Sequence, residues 1–276
     1  MPEDQEDRVP AGIDPTVPTA ARIYDYLLGG QDNFAADRAA VHKLTELSPE
    51  LAQVARANRA FLGRAVRYLA AEAGIRQFLD LGAGLPTNGN VHQVAQSVAA
   101  DARVVYVDND PSVLAHAQAL TSGDRTAVIQ ADLRDPATIL DHPDTRRLID
   151  LTQPLAILFV AVLHFLADPD AERAVTAFTG VAAPGSYLVL SHGCSDPDPV
   201  AAAAGAARYA GGAYSAVPRS RADILGFYAG FDLVDPGLIP VHQWRPGPGD
   251  PADPGKVWLL GGVGRKQAGS GRGDDR

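Results

Sequence analysis

A single cysteine, Cys194, among 276 residues leaves no pair from which an intramolecular disulfide could form. That scarcity fits a reducing, cytoplasmic setting, and one thiol after an apolar run reads first as a small packed residue. Positive charge is also short: 24 Lys and Arg stand against 33 Asp and Glu, a net charge of -9. The chain therefore offers no broad footprint for the phosphates of a nucleic acid. No apolar run is long enough to cross a bilayer; the longest, 155–167, contains His164 and reads as a buried strand with its exit, so no membrane partner is expected. The opening MPEDQEDRVP lacks the basic-then-apolar order of a secretory signal. No cluster of carboxylates and histidines has metal-ligand spacing, so no metal is expected, and there is no internal repeat. What remains, 46% hydrophobic and 21% charged, is ordinary globular composition with ample core material.

The chain is organised around residues 78–86, FLDLGAGLP. A short apolar run carrying Asp80 opens into Gly82-Ala83-Gly84, the pattern of a buried parallel strand entering a tight turn where backbone must pass close to a ligand. Asn88 or Asn90 caps the helix that follows, and a second apolar strand, 104–107, ends in Asp108. Gly84 and Asp108 are 24 residues apart, near the spacing of about 20 between a glycine turn and a ribose-binding acid. A third strand, 127–130, leads into Asp132 and Leu133. Three strand ends that present a glycine turn or an acid form a crevice of nucleoside size.

The remainder divides into an N-terminal tail over 1–18, a helical cap over 19–73, a ligand-binding domain over 74–266 and a second tail over 267–276. Thr19 caps a first helix that breaks at Gly29-Gly30, and a second helix starts at Asp32 or Asn33. Ser48-Pro49-Glu50 reads as the start of a third helix running to Gly74, with Asn58 set inside its apolar stripe. The cap is crowded with groups that a core does not need, among them Tyr24, Asp25, Asn33 and Phe34. They read either as a solvated helix pair or as a lid hinged at the two glycines. After a fourth strand covered on both faces, helix 170–181 and strand 187–191 follow, then a helix over 199–210, a helix capped by Ser220 and an antiparallel pair, 231–234 with 257–262.

The fragments ARIYDYLLGGQDNFAADR, DLGAGLPT, YVDNDP, ADLRDP, VLHFLAD and GFDLVDPGLIPVHQWRP resemble class I S-adenosylmethionine-dependent methyltransferases along almost the whole ordered chain. More narrowly they resemble an actinobacterial family formerly listed as a domain of unknown function. The resemblance implies an α/β, Rossmann-like, seven-stranded, mostly parallel sheet with one antiparallel strand, helices on both faces and S-adenosyl-L-methionine at its C-terminal edge. It places Asp80, Gly82, Ala83 and Gly84 beside the methionine part of the cofactor, Asp108 on the ribose, Asn109, Asp132 and Leu133 on the adenine, and Val160 at the fourth-strand exit.

Methyl transfer from a sulfonium needs alignment and exclusion of water more than it needs a base. His164 is the best-placed candidate base, with His192 at the end of the fifth strand and Tyr24 or Asp25 in the cap behind it. Tyr24, Asp25, Asn33, Phe34 and His164 are the candidates for the acceptor pocket. The fourth-strand exit lacks the Asn/Asp-Pro-Pro-aromatic turn that many amino-methylating enzymes carry, which together with the acidic charge favours O-methylation of a small molecule over nucleic-acid bases. Two other readings stay open: a non-catalytic S-adenosylmethionine binder, and an NAD-binding oxidoreductase. Against the second, Thr87 stands where the dinucleotide fingerprint has its third glycine.

Overall fold

The computed structural model describes residues 12–87, 89–117, 123–200, 202–203, 216–247, 250 and 257–267. The tail over 268–276, residues 1–11, Asn88 and most of the helix expected over 199–210 lie outside the described residues. Within them, helices α1 (Ala20–Leu28), α2 (Ala35–Leu47) and α3 (Leu51–Ala71) precede the first strand, β1 (Gln77–Leu81). Then come α4 (Val91–Val98), β2 (Arg103–Asp108), α5 (Pro111–Ala117), β3 (Thr126–Gln130), α6 (Pro136–Asp141), α7 (Pro143–Leu148) and β4 (Ala156–Val160). The chain continues through α8 (Asp168–Val181), β5 (Tyr187–Gly193), α9 (Arg221–Gly226), β6 (Phe231–Leu233), β7 (Ile239–Pro240) and β8 (Leu259–Lys266).

The sheet order is β3-β2-β1-β4-β5-β8-β6, with the two-residue β7 also on β8. Strands β1 to β5 pair in parallel, and β8 runs against β5, β6 and β7. The seven expected strands thus lie on one path, and the short β7 is an eighth. After β3 the chain crosses to the far side of β1 to form β4, so the crevice of a doubly wound sheet opens above the carboxyl ends of β1 and β4.

Strand periodicity assigns the faces. Leu79 and Leu81 of β1, Ile157 and Phe159 of β4, and Leu188 and Leu190 of β5 pack with Ile139, Leu148, Val175, Phe178 and Ile224 of α6 to α9. Their alternates, Phe78, Ala156, Leu158 and Val189, pack with Phe61, Ala65, Val66 and Leu69 of α3 and with Val91 and Ala95 of α4. Asp80 shares the parity of Phe78 and so faces the α3 side of the sheet.

Three expectations need correction. Helix α3 is not part of a separate cap, because its buried stripe belongs to the sheet core. Gly261 of β8 is where they meet: a Cβ there would lie 3.0 Å from the Phe61 ring and 2.7 Å from Val241, so only glycine admits this approach. Ser48 does not open α3 but closes α2, its amide bonded to the Leu44 carbonyl at 3.0 Å. The residue before a proline is driven from the helical region, and Ser48 sits at φ -135°, ψ 82° before Pro49. Residues 12–18, assigned to the tail, are placed against α1: Ile13 is buried, and Arg22 donates to the carbonyls of Asp14 and Val17.

Candidate active site

The turn after β1 is built on positive backbone angles, φ 79° at Gly82 and 67° at Gly84. The Gly82 and Ala83 amides both donate to the Val107 carbonyl, at 2.8 and 3.1 Å, which holds the turn against the end of β2. A Cβ on Gly82 would fall 2.3 Å from Cγ2 of Val162, whereas one on Gly84 would enter open space in the cleft. Asp108 accepts from the Gly84 amide at 2.8 Å and from the Asp110 amide at 2.9 Å. Burial nonetheless raises its pKa, against the pull of those amides. Asp132 is held lower by its hydrogen bonds from Arg134, whose Nε lies 3.0 Å from each carboxylate oxygen.

All nine residues assigned to the cofactor (Asp80, Gly82, Ala83, Gly84, Asp108, Asn109, Asp132, Leu133 and Val160) line one cleft of about 1400 Å³. Its other wall is formed by Ile13, Val17, Ala20, Ile23, Tyr24 and Leu27, and by Leu51, Val54 and Leu62 of α3. His164, Phe165 and Trp258 also line it.

The acceptor-pocket candidates divide. Asp25, Asn33 and Phe34 are not among the lining residues. Asn33 donates from Nδ2 to Asp25 at 2.9 Å and to the Gly30 carbonyl at 3.0 Å, and burial raises the pKa of Asp25. The pair pins the turn after α1. A Cβ on Gly30 would fall 1.9 Å from Asp25 Oδ1, so Gly30 serves close packing and Gly29 the left-handed helix end. Phe34 lies under the Arg22 guanidinium, 5.2 Å from ring centroid to Cζ. Polar crowding in the sequence had marked this segment without showing which way each group turns.

Tyr24 lines the cleft, but its hydroxyl is engaged. It donates to the Ala55 carbonyl at 3.0 Å and accepts from Asn58 Nδ2 at 2.9 Å, and burial raises its pKa. A phenol so held does not serve as a base. Asn58 Oδ1 accepts from Ser191 Oγ at 2.7 Å, and Ser191 in turn accepts from the Ala161 amide at 3.0 Å. The amide inside the apolar stripe of α3 therefore joins α1 to the ends of β4 and β5, which satisfies its burial.

His164 follows β4 at the cleft wall. Burial first, then the charges of His192 and Arg219, drives its pKa well below the ordinary value, so the ring is neutral. Its Nδ1 is buried without a partner among the described residues, and its carbonyl accepts from the Val217 amide at 2.7 Å. His192 of β5 lies edge-on to the His164 ring, 5.3 Å between centroids. Its Nε2 lies 2.8 Å from Arg219 Nη1, and because guanidinium only donates, Nδ1 carries the proton and gives it to the Gly193 carbonyl at 2.7 Å. With both nitrogens engaged, and a pKa lowered to about 4 chiefly by burial, His192 is structural. Arg219 also donates to the Leu163 and Leu166 carbonyls and pairs with Asp168 at 2.8 Å, so it fixes the loop that carries His164.

Further contacts escaped the sequence reading. Arg22 and Asp37 form a buried ion pair at 2.8 Å, and Arg22 reaches Ser112 of α5 at 3.1 Å. Thr19 donates to Asp110, so α1 is docked beside the acid at the end of β2. Arg59 of α3 lines the cleft near Asp80, whose pKa burial pushes up to about 7 against the attraction of Arg59.

The donor set fits S-adenosylmethionine: a cradle free of Cβ at Gly84, a buried carboxylate at Asp80 and a half-buried one at Asp108 suit an adenosyl group with its amino-acid end. Among the described residues no group of three His, Cys, Asp or Glu could hold a metal ion. Residues 6–267 match the S-adenosyl methyltransferase family. The chain is similar to a methyltransferase candidate from Thermobifida fusca YX, with 45% identity and a TM-score of 0.88 over 95% of this chain and 100% of that one. It is similar also to a DUF574 family protein from Streptomyces avermitilis MA-4680, with 42% identity and a TM-score of 0.87 over 92% and 99% of the two chains. An O-methyltransferase family protein from Burkholderia thailandensis, 14% identical with a TM-score of 0.51 over 79% of this chain and 60% of that one, shares the fold alone. Among curated proteins there is no match. With its glycine turn, strand-end acids and near-complete family match, the chain belongs to the S-adenosyl methyltransferase family and is an S-adenosylmethionine-dependent methyltransferase.

Proposed function

We propose that this methyltransferase acts on a small, largely apolar organic molecule and methylates it at oxygen. The observation that carries the proposal is the size and lining of the cleft. At about 1400 Å³ it exceeds the roughly 300–1,000 Å³ of a typical single-ligand site, leaving room for an acceptor beside the cofactor. The added space is walled by Ile13, Val17, Leu27, Leu51, Val54 and Leu62, and Val17 and Phe165 remain exposed at its edge.

Bound S-adenosylmethionine supplies an electrophilic methyl group on a sulfonium. The chain's own part is to hold the methionine part beside Asp80 and Gly82–Gly84 and the nucleoside along Asp108, Asn109, Asp132, Leu133 and Val160, and to keep water from the reacting centre. The segment from Ile13 to Leu27 acts as a fixed wall in this reading, in place of the hinged lid expected from Gly29-Gly30. His164, neutral and at the cleft wall, is the candidate to take a proton from a hydroxyl acceptor, and its depressed pKa makes it a weak base that suits an acidic hydroxyl losing its proton as the oxygen attacks. The scarcity of basic residues supports a small acceptor over a nucleic acid, and the lone thiol supports a cytoplasmic setting. Among the described residues no helix is long and apolar enough to cross a membrane.

The test is turnover of a panel of hydroxylated aromatic and aliphatic compounds, following S-adenosylhomocysteine release and the mass of each acceptor. A methyl group gained on oxygen supports the proposal. Methylation of RNA, DNA or protein with every small hydroxyl compound left unchanged overturns it.

A further inference from the structure

We propose that Ser191 is a positioning residue for methyl transfer: by holding the turn after β4 left-handed at Ala161, it sets Val162 against the glycine turn and His164 at the cleft wall. The proposal rests on the reading of His164 as the group that takes the acceptor's proton.

Ala161 has φ 57°, and among the described residues Arg245 is the one other non-glycine residue with a positive φ. A Cβ disfavours this region, so an alanine keeps such a conformation only where its surroundings impose it. Here Ser191, the register partner of Val160, imposes it. The Ala161 amide points at both Ser191 oxygens, the carbonyl at 3.1 Å and Oγ at 3.0 Å. Oγ is free to accept because its own proton goes to Asn58 Oδ1 at 2.7 Å. Both side chains are buried, and Asn58 is fixed in turn by its bond to the Tyr24 hydroxyl at 2.9 Å. The helix α3 thus dictates where the Ser191 lone pair points, and that lone pair holds the backbone of the turn.

What the turn carries gives it a use. Ala161, Val162 and His164 all line the cleft. Val162 fills the space beside Gly82, where its Cγ2 would lie 2.3 Å from an added Cβ, so the turns after β1 and β4 fit together as one surface. An extended Ala161 would lead Val162 away and leave Gly82 uncovered. Leu163–Phe165 then form a single tight helical turn that begins at Val162, so His164 inherits its direction from Ala161. At the far end Arg219 holds the Leu163 and Leu166 carbonyls. Arg219 fixes how this segment ends, and Ser191 how it begins.

Nuclear magnetic resonance of the full chain, with histidine labelled at Cε1, tests the proposal, His164 being identified by the signal that His164→Gln removes. Ser191→Ala should move the His164 signal toward that of a solvated imidazole, because the ring leaves its edge-on contacts with Phe165 and His192, at 4.4 and 5.3 Å between centroids. Adding Ala161→Gly should return the signal toward wild type, since glycine adopts a positive φ without cost. With the hydroxyl compound that gains a methyl group in the panel, kcat of Ser191→Ala should fall roughly ten- to hundredfold while the KM for S-adenosylmethionine changes by less than about threefold. An unmoved His164 signal overturns the proposal alone, and so does a shift that Ala161→Gly leaves in place, which would trace the effect to packing around Asn58. In the wild type the Ala161 amide should exchange as slowly as buried strand amides. Exchange at the rate of an open loop overturns the proposal even where Ser191→Ala does not fold. Undiminished kcat in His164→Gln overturns the reading of His164, and the positioning role with it, whatever the turn itself shows.

Discussion

Replacing Asp80 by asparagine removes a buried charge and keeps the shape of the side chain, so its effect on stability isolates the cost of that charge. Burial raises the carboxyl from 3.8 to about 7. A shift of about three units corresponds to ~4 kcal/mol. From about pH 4 to 7 the folded chain keeps the proton that the unfolded chain has lost, so the wild type loses stability as pH rises through this window. Above about pH 7 both states are ionised and the penalty stays constant. Asp80→Asn has no such penalty. Urea unfolding of both proteins at several values between about pH 4 and 8 should show the variant gaining on the wild type with rising pH, by up to ~4 kcal/mol. The buried amide of asparagine adds a cost of its own, but one independent of pH, so the slope is the quantity to read. Saturating S-adenosylhomocysteine should narrow the gap, because its ammonium compensates the carboxylate only in the wild type. A difference that stays constant from about pH 4 to 8 would show that the Asp80 carboxyl is not desolvated as described.

Tyr24→Phe should lower stability by about 1 kcal/mol, the loss of its bonds to Ala55 and Asn58, and leave turnover nearly unchanged. Abolished turnover in a folded Tyr24→Phe protein would return the phenol to the chemistry. Arg22→Met leaves Asp37 charged and unpaired in the interior and should cost about 3–5 kcal/mol in denaturant titration; a loss under about 1 kcal/mol would mean that the pair does not anchor α1. His164→Gln should reduce kcat by roughly 10²–10⁴ with S-adenosylhomocysteine affinity intact, as removal of a general base does. Since the pKa of His164 is held well below 6.5, the wild-type rate should stay level as pH falls through that value; a rate that halves there would show that His164 titrates as an ordinary, solvated imidazole.

The cofactor edge was legible because its signals are local. An apolar run ending in an acid marks both a strand and the rim of a sheet, and Gly82 and Gly84 announce a turn that other residues cannot make. What lay beyond reach depends on how helices roll against the sheet. Asp25 and Asn33 are polar for the sake of each other, and only the folded turn shows that they face inward, away from the cleft. Arg59 was hidden among Arg56, Arg64 and Arg67 on the same helix, and no periodicity separates the one near Asp80 from those elsewhere. Asn58, the amide in an apolar stripe, was visible as an anomaly, but its partners Tyr24 and Ser191 come from segments far apart in the chain. The break between cap and domain was misplaced for a related reason: α3 reads as amphipathic whether its apolar face meets other helices or, as here, the sheet.

Both walls of the cleft are fastened from within, α1 by the Arg22–Asp37 pair and the His164 loop by Arg219. To swing aside, the first would have to release Arg22 from Ser112 and Thr19 from Asp110, and the second would have to release the Leu163 and Leu166 carbonyls from Arg219. If ligands enter between these fastened walls, depth in the cleft sets their sequence. In the proposed placement a nucleoside seated at Gly84 lies behind an acceptor that rests against the exposed Val17 and Phe165. On the proposed placement the cofactor would arrive before the acceptor, and its demethylated remnant would leave after the methylated product, an order that would follow from depth alone.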